Sequence, residues 1–224
     1  MTVKIAIDGP SGAGKSTQAR ALASDMGFMY VDTGAIYRCV GLFALKNDVP
    51  TRDKEAVAGL LKDVVVTMSH DDNGLQIMSL NGENVTQEIR APEISIAASD
   101  VSAIPEVRDF LLNMQRDLAK RYNIIMDGRD IGAVILPDAD LKIFLTAAPE
   151  DRASRRYEEL RLRGIEVSYD QVFSDLVTRD NNDSTREIAP LKPTGESVVI
   201  DTTGLTAEEG FGVLRRTIRE RLGI

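Results

Sequence analysis

Three scarcities frame this 224-residue chain: one cysteine, one histidine, and no apolar run long enough to span a bilayer. With Cys39 as the single cysteine, an internal disulfide is excluded and a reducing, cytoplasmic compartment is expected. Beside Arg38 in a helical stretch, Cys39 reads as a small buried apolar side chain. No segment approaches the roughly 20 apolar residues a membrane helix needs. The first residues enter an apolar strand, Val3-Lys4-Ile5-Ala6-Ile7, with no signal-peptide layout, so no membrane partner is expected. Positive charge is also in deficit, 27 Lys and Arg against 35 Asp and Glu, for a formal net charge of -8. That balance argues against binding nucleic-acid polymers, which need many cations facing phosphates. A few clustered arginines can still make a positive pocket on an acidic protein, so mononucleotides stay open. Internal repeats, low-complexity segments and any feature demanding an oligomer are also missing, and a monomer is expected.

What is present is a rhythm of short apolar runs and helical patterns. Val3 to Asp8, Phe28 to Asp32, Asn123 to Asp127, Leu141 to Leu145 and Ser197 to Asp201 have the look of strands buried on both faces. Helical patterns cover Lys15 to Met26, Ile104 to Arg121, Pro149 to Arg163, Asp170 to Arg179 and Thr206 to Leu222. Strands alternating with helices predict an α/β fold, a doubly wound five-stranded parallel sheet. One stretch breaks the rhythm. Val64 to Met68 and Leu75 to Leu80 are β-rich runs around Asp71-Asp72-Asn73-Gly74, and Asn81-Gly82 follows. They read as an antiparallel hairpin and a further turn. The expected organisation is a core of residues 1–39 and 106–224, with an inserted lobe over 40–105.

The strongest local signal is Gly9-Pro10-Ser11-Gly12-Ala13-Gly14-Lys15-Ser16, which fits G-x-x-x-x-G-K-[ST] between an apolar strand and a helix. Its glycines let successive N–H groups turn inward on phosphate oxygens, and the following helix adds its positive end. Lys15 would reach the β- and γ-phosphates of a nucleoside triphosphate. The Ser16 hydroxyl would complete a Mg²⁺ shell, with Asp127 as a candidate carboxylate. The motif alone does not name the acceptor.

Three features favour a kinase of small molecules. Asp32-Thr33-Gly34-Ala35-Ile36-Tyr37-Arg38 and Asp127-Gly128-Arg129-Asp130 both follow strands at the carboxyl edge of the sheet, where open α/β sheets bind ligands. Arginines crowd the C-terminal half at positions 152, 155, 156, 161, 163, 179 and 186. Blander readings stand beside these: Asp32 and Asp127 as helix caps, and Arg152 to Arg163 as a solvated helix face paired with Glu158 and Glu159. Arg38, Arg129 and Arg186 are better placed for ligation, each beside a turn. A guanine-reading N-K-x-D stretch does not occur, which disfavours a GTPase.

These texts, with Leu80 to Thr86, Val101 to Arg108, Asp127 to Gly132 and Arg179 to Leu191, make the chain resemble the bacterial cytidylate kinases in order along nearly its whole length. The resemblance implies a P-loop core, a mobile monophosphate-binding lobe and a short lid near 150–165. It implies ATP as phosphoryl donor with Mg²⁺, bound by Gly9 through Thr17. CMP or dCMP would be bound by Thr33, Arg38, Ser99, Arg108, Arg129, Asp130, Arg179, Asp183 and Arg186. Ser99, Arg108 and Asp130 would read cytosine, Arg179 and Asp183 the sugar, and Arg38, Arg129 and Arg186 the monophosphate. Lys15, Arg129, Arg186 and Arg156 would serve catalysis. The chain departs from the family pattern at Ile96, where Asn is common, and at Ala133, where Thr is.

The chemistry is consistent with these roles. A carboxylate at Asp130 accepts from cytosine N4, where uracil would present another lone pair, so CMP is expected to be preferred over UMP. The acceptor phosphate, with a second pKa of about 6, is already ionised and needs no general base. His70, in the hairpin, is accordingly expected to be a surface or turn residue.

Overall fold

A computed structural model gives the structure of residues 2–72 and 74–224. Asn73, part of the expected turn after Asp71, lies outside the described residues. In chain order the strands are β1 (Lys4–Asp8), β2 (Met29–Asp32), β3 (Val66–His70), β4 (Gln76–Leu80), β5 (Glu83–Asn84), β6 (Ile124–Gly128), β7 (Leu141–Thr146) and β8 (Val198–Asp201). The helices are α1 (Lys15–Met26), α2 (Thr33–Lys46), α3 (Lys54–Leu60), α4 (Pro92–Val101), α5 (Pro105–Arg121), α6 (Pro149–Leu162), α7 (Tyr169–Thr185) and α8 (Ala207–Leu222).

The five apolar runs pair in parallel in the order β2-β6-β1-β7-β8. Side chains alternate across each strand, so the sheet feeds two cores. Ile5 and Ile7 face α1 and α8 with Leu22, Ile125, Ile143, Leu214 and Ile218. Ala6 faces the other way, with Val31, Ile36, Ile124, Met126, Val107 and Leu111. Chain order reverses at β1, with strands from later in the chain on either side of it, and a crevice opens there at the carboxyl edge. The irregular stretch forms a separate antiparallel sheet, β3-β4-β5. Among the described residues no helix is long and apolar enough to cross a membrane.

Three differences from the expected elements have local causes. The polar text after β2 opens a continuous helix, α2, because the Asp32 carboxylate accepts from Ala35 N–H at 3.0 Å and caps it. The cap reading of Asp32 is therefore correct, and it coexists with an ion pair to Arg38 at 3.4 Å. Helix α7 begins at its Ser168 cap and runs on to Thr185, six residues past the expected end at Arg179. It thus carries Arg179 and Asp183, one turn apart, on a single face. After β6 the chain makes a short π-helical turn, Ile131–Ile135, which begins where the Asp8 carboxylate accepts from Ile131 and Gly132 N–H at 2.7 and 2.8 Å.

Candidate active site

The loop between β1 and α1 owes its shape to its glycines. At Gly9 (φ 151°) a Cβ would sit 2.0 Å from the Leu145 carbonyl oxygen, so only glycine lets the loop pass β7. Gly14 (φ 85°) is the N-cap of α1, and no side chain among the described residues caps that helix start. Its first N–H groups are therefore left for an anion. Arg152 holds the loop from behind. Its guanidinium donates to Ser11 O at 3.0 Å, to Ala147 O at 2.8 Å and to Asp180 at 2.5 Å. This residue is buried, so the solvated-face reading of the α6 arginines fails at its first member, because that turn of the helix packs on the loop.

A cavity of about 570 Å³ opens from the loop across the sheet's carboxyl edge. Ser11 through Thr17 line it, together with Thr33, Arg38, Ser99, Arg108, Asp127, Arg129, Asp130, Arg156, Arg179, Asp183 and Arg186. The expected site residues thus come together, apart from Gly9 and Pro10. These two stand outside the lining, and the Pro10 carbonyl accepts from Lys15 Nζ at 2.7 Å. Ile96 and Ala133 also lie outside it.

The electrostatics of the loop are those of a site built for anions. Burial, then the neighbouring Arg129 cation, pull Lys15 down to about 7. Asp127 receives Ser16 Oγ–H at 2.9 Å and the Tyr30 hydroxyl at 2.8 Å. Burial and then Asp32 push Asp127 up to about 6. A hydroxyl and a carboxylate oxygen so placed fit the hard-oxygen preference of Mg²⁺. Among the described residues there is no group of three or more His, Cys, Asp or Glu that could hold a metal by itself.

Away from the loop, arginines and carboxylates form two clusters. Asp130, the residue that ends the turn after β6, is paired with Arg108 of α5 and lies 3.4 Å from Arg186 Nη2. Arg186 Nη1 donates to Ser102 Oγ at 3.1 Å, and the Arg108 guanidinium lies 5.8 Å from the Tyr37 ring centre. Asp183 accepts from Arg129 Nε at 2.8 Å and from Ser99 Oγ at 3.2 Å. Burial works to raise the Asp183 carboxyl, but Arg129 and Arg179 together hold it below its ordinary value. Arg179 is less satisfied. Its Nε is buried without a hydrogen-bond partner among the described residues, and burial with repulsion from Arg129 lowers it to about 10. A guanidinium with an unbonded buried donor can still take a ligand oxygen.

Sequence reasoning missed Arg20, Arg90, Ser102 and Glu159 as lining residues, and it noted Arg155 and Arg163 only as part of the C-terminal arginine cluster. Within α6 the signal was available, since Arg152, Arg156, Glu159 and Arg163 recur at three- and four-residue spacing. Arg156 pairs with Glu159 at 2.8 Å, and Arg163 donates to the Arg90 carbonyl at 3.3 Å. For Arg20 and Arg90, which come from distant parts of the chain, no local pattern pointed inward.

A phosphate-binding loop opening on a guanidinium-lined cavity at the reversal point of a parallel sheet defines a P-loop kinase. A family model described as cytidylate kinase matches residues 5–219. A cytidylate kinase of Caldicellulosiruptor bescii is 50% identical over 207 residues, 92% of this chain and 91% of its own. Those of Thermosipho melanesiensis (44%) and Streptococcus pneumoniae (41%) each align over 99% of both chains. The chain belongs to the cytidylate kinase family and is a phosphotransferase. A solved structure of an uncharacterized protein from Eubacterium ventriosum shares the fold, with a TM-score of 0.55 at 12% identity over 98% of this chain and 99% of its own.

Proposed function

We propose that this kinase transfers the γ-phosphoryl group of ATP to CMP or dCMP, giving ADP and CDP or dCDP. The observation that carries the acceptor is the Asp130 carboxylate, held by Arg108 and Arg186 inside the cavity that the P-loop lines. In that position Asp130 accepts from cytosine N4 while Arg108 donates to the ring acceptors. Ser99, whose hydroxyl donates to Asp183 at 3.2 Å in the ligand-free site, reads cytosine with them, and Asp183 and Arg179 hold the sugar. Arg38, Arg129 and Arg186 receive the monophosphate, with Thr33 beside them. Ser11 through Thr17 form the ATP phosphate cradle, with Gly9 and Pro10 shaping the loop behind them, and Lys15 neutralises the charge that develops on the transferring group. Arg156 closes on the same group after leaving Glu159.

Mg²⁺ would be held by Ser16 and Asp127, and it would supply charge neutralisation at the donor phosphates. The acceptor oxygen is already ionised, so the residues position two anions in line and remove no proton. In keeping with this, the histidine is engaged elsewhere: His70 Nε2 lies 2.9 Å from the Tyr30 carbonyl. Residues 1–39 and 106–224 act as the core, 40–105 as the mobile monophosphate lobe, and about 150–165 as the lid. Closure of lid and lobe excludes water as a competing acceptor. The enzyme works as a cytoplasmic monomer.

A coupled assay with Mg-ATP against CMP, dCMP, UMP and AMP tests the reading. Turnover with CMP or dCMP well above UMP and AMP is expected, and no ADP release dependent on CMP would overturn it.

A further inference from the structure

Among the described residues strand β2 is the outer strand of the parallel sheet, bonded through Met29 to Asp32 to β6 alone. Because main-chain groups alternate in direction along a strand, Tyr30 and Asp32 aim theirs away from β6 at an open edge. Two side chains of the small sheet fill that edge. Gln76 accepts from Asp32 N–H at 2.7 Å through Oε1 and donates to Asp32 O at 3.1 Å through Nε2. Its amide satisfies both main-chain groups of one residue, as a neighbouring strand would. His70, directly opposite Gln76 in the β3–β4 ladder, reaches the Tyr30 carbonyl at 2.9 Å. A carbonyl only accepts, so Nε2 carries the hydrogen.

The face of β4 that bears Gln76 otherwise carries Met78 and Leu80, both buried. A buried amide on that apolar face is explained by its position against unpaired peptide groups. Asp32, the residue gripped, also caps α2 through Ala35 and pairs with Arg38 at 3.4 Å. The arrangement is tight. At Gly34 a Cβ would meet Asp32 Oδ1 at 3.0 Å and Arg38 Nη2 at 3.7 Å.

We infer that Gln76 and His70 form a clasp that docks the inserted sheet on the free edge of β2 and, through Asp32, sets the Arg38 guanidinium for the acceptor phosphate. Gln76 is then a positioning residue for the acceptor and not for the donor. This rests on the proposed role of Arg38 in binding the CMP phosphate.

The test uses the full-length enzyme and Gln76→Leu, which removes both bonds at similar volume. By NMR, the Asp32 N–H should exchange about tenfold faster, the factor expected for losing a hydrogen bond of ordinary strength. Kinetically, KM for CMP should rise about tenfold while KM for ATP and kcat stay within about twofold. Val85→Ala, a buried truncation in the same lobe that removes none of the clasp's hydrogen bonds, should lower the melting temperature without raising KM for CMP. If Gln76→Leu does not fold, His70→Phe removes the Tyr30 bond alone and provides the same two readouts with smaller changes. Unchanged exchange at Asp32, equal rises in both KM values, or a Val85→Ala enzyme with the same rise in KM for CMP would each overturn the clasp. The exchange arm reads the clasp whatever the acceptor, whereas a wild-type enzyme inert toward CMP would refute only the proposed substrate.

Discussion

Asp8 and Gly132, 124 positions apart, are joined by a 2.8 Å hydrogen bond from the Gly132 N–H to the Asp8 carboxylate. The second Asp8 oxygen accepts from Ile131 at 2.7 Å. The last residue of β1, immediately before the phosphate loop, thus holds the turn that carries Arg129 and Asp130. Donor and acceptor sites share one buried carboxylate. Asp8→Ala leaves two buried N–H groups without an acceptor, at about 1–3 kcal/mol each. A lower melting temperature and a raised KM for CMP are expected from calorimetry and kinetics, and a variant matching wild type in both would refute the link.

The buried acids and Lys15 give the ligand-free enzyme a defined pH response. Burial raises Asp8 and Asp127 from an ordinary 3.8 to about 6, so the folded state holds their protons more tightly than the unfolded state. Their contribution is therefore fully present below about pH 4 and is lost as pH rises toward 6. Lys15 runs the other way, lowered from 10.5 to about 7, so its contribution grows as pH rises above 7. Melting curves of Lys15→Met minus wild type should isolate the second limb. If that difference does not vary between pH 7 and 10, Lys15 is not depressed.

Lys15→Met should also lose turnover by about 10²–10³, the scale for removing one preorganised charge at a developing anion. KM for CMP should change little. Equal losses in kcat for Lys15→Met and for a distant surface lysine would contradict the role.

Arg129→Met and Arg186→Met should both raise the requirement for CMP far more than that for ATP, but they should differ in stability. Asp183 is paired with Arg129, whereas Asp130 keeps Arg108 when Arg186 is gone. Removing one partner of a buried pair costs about 3–5 kcal/mol when the other charge is left alone, and less for Asp183 because Arg179 and the Ser99 hydroxyl stay beside it. Arg129→Met should therefore melt lower than Arg186→Met, and thermal denaturation decides the order.

Base choice should rest on Asp130. Asp130→Asn can present an amide donor to uracil O4, so the ratio of kcat/KM for CMP over UMP should fall by about 10–100-fold, the equivalent of the 1–3 kcal/mol at stake in one unpaired buried group. An unchanged ratio in a substrate panel would place cytosine recognition elsewhere.

Local chemistry determined a good deal of this protein from sequence alone. Eight contiguous residues specify the phosphate loop because its geometry depends on glycine torsions and a helix start. Five short apolar runs specify strands because a strand covered on both faces needs little else. The hairpin followed from two β-rich runs and a turn. What local spacing does not carry is which distant groups meet. His70, expected at the surface or in a turn, reaches the Tyr30 carbonyl, and Gln76 reaches Asp32, only once the small sheet lies on the edge of β2. Arg152 sat within an arginine-rich helical pattern, and folding turned it into a brace for the loop. The pairing of Asp130 with Arg108 and of Asp183 with Arg129 joins separate elements, and it is decided by the need of buried charges for partners. Sequence determined the pieces that form within a few residues of themselves; tertiary structure decided every contact whose reward comes from burial across the fold.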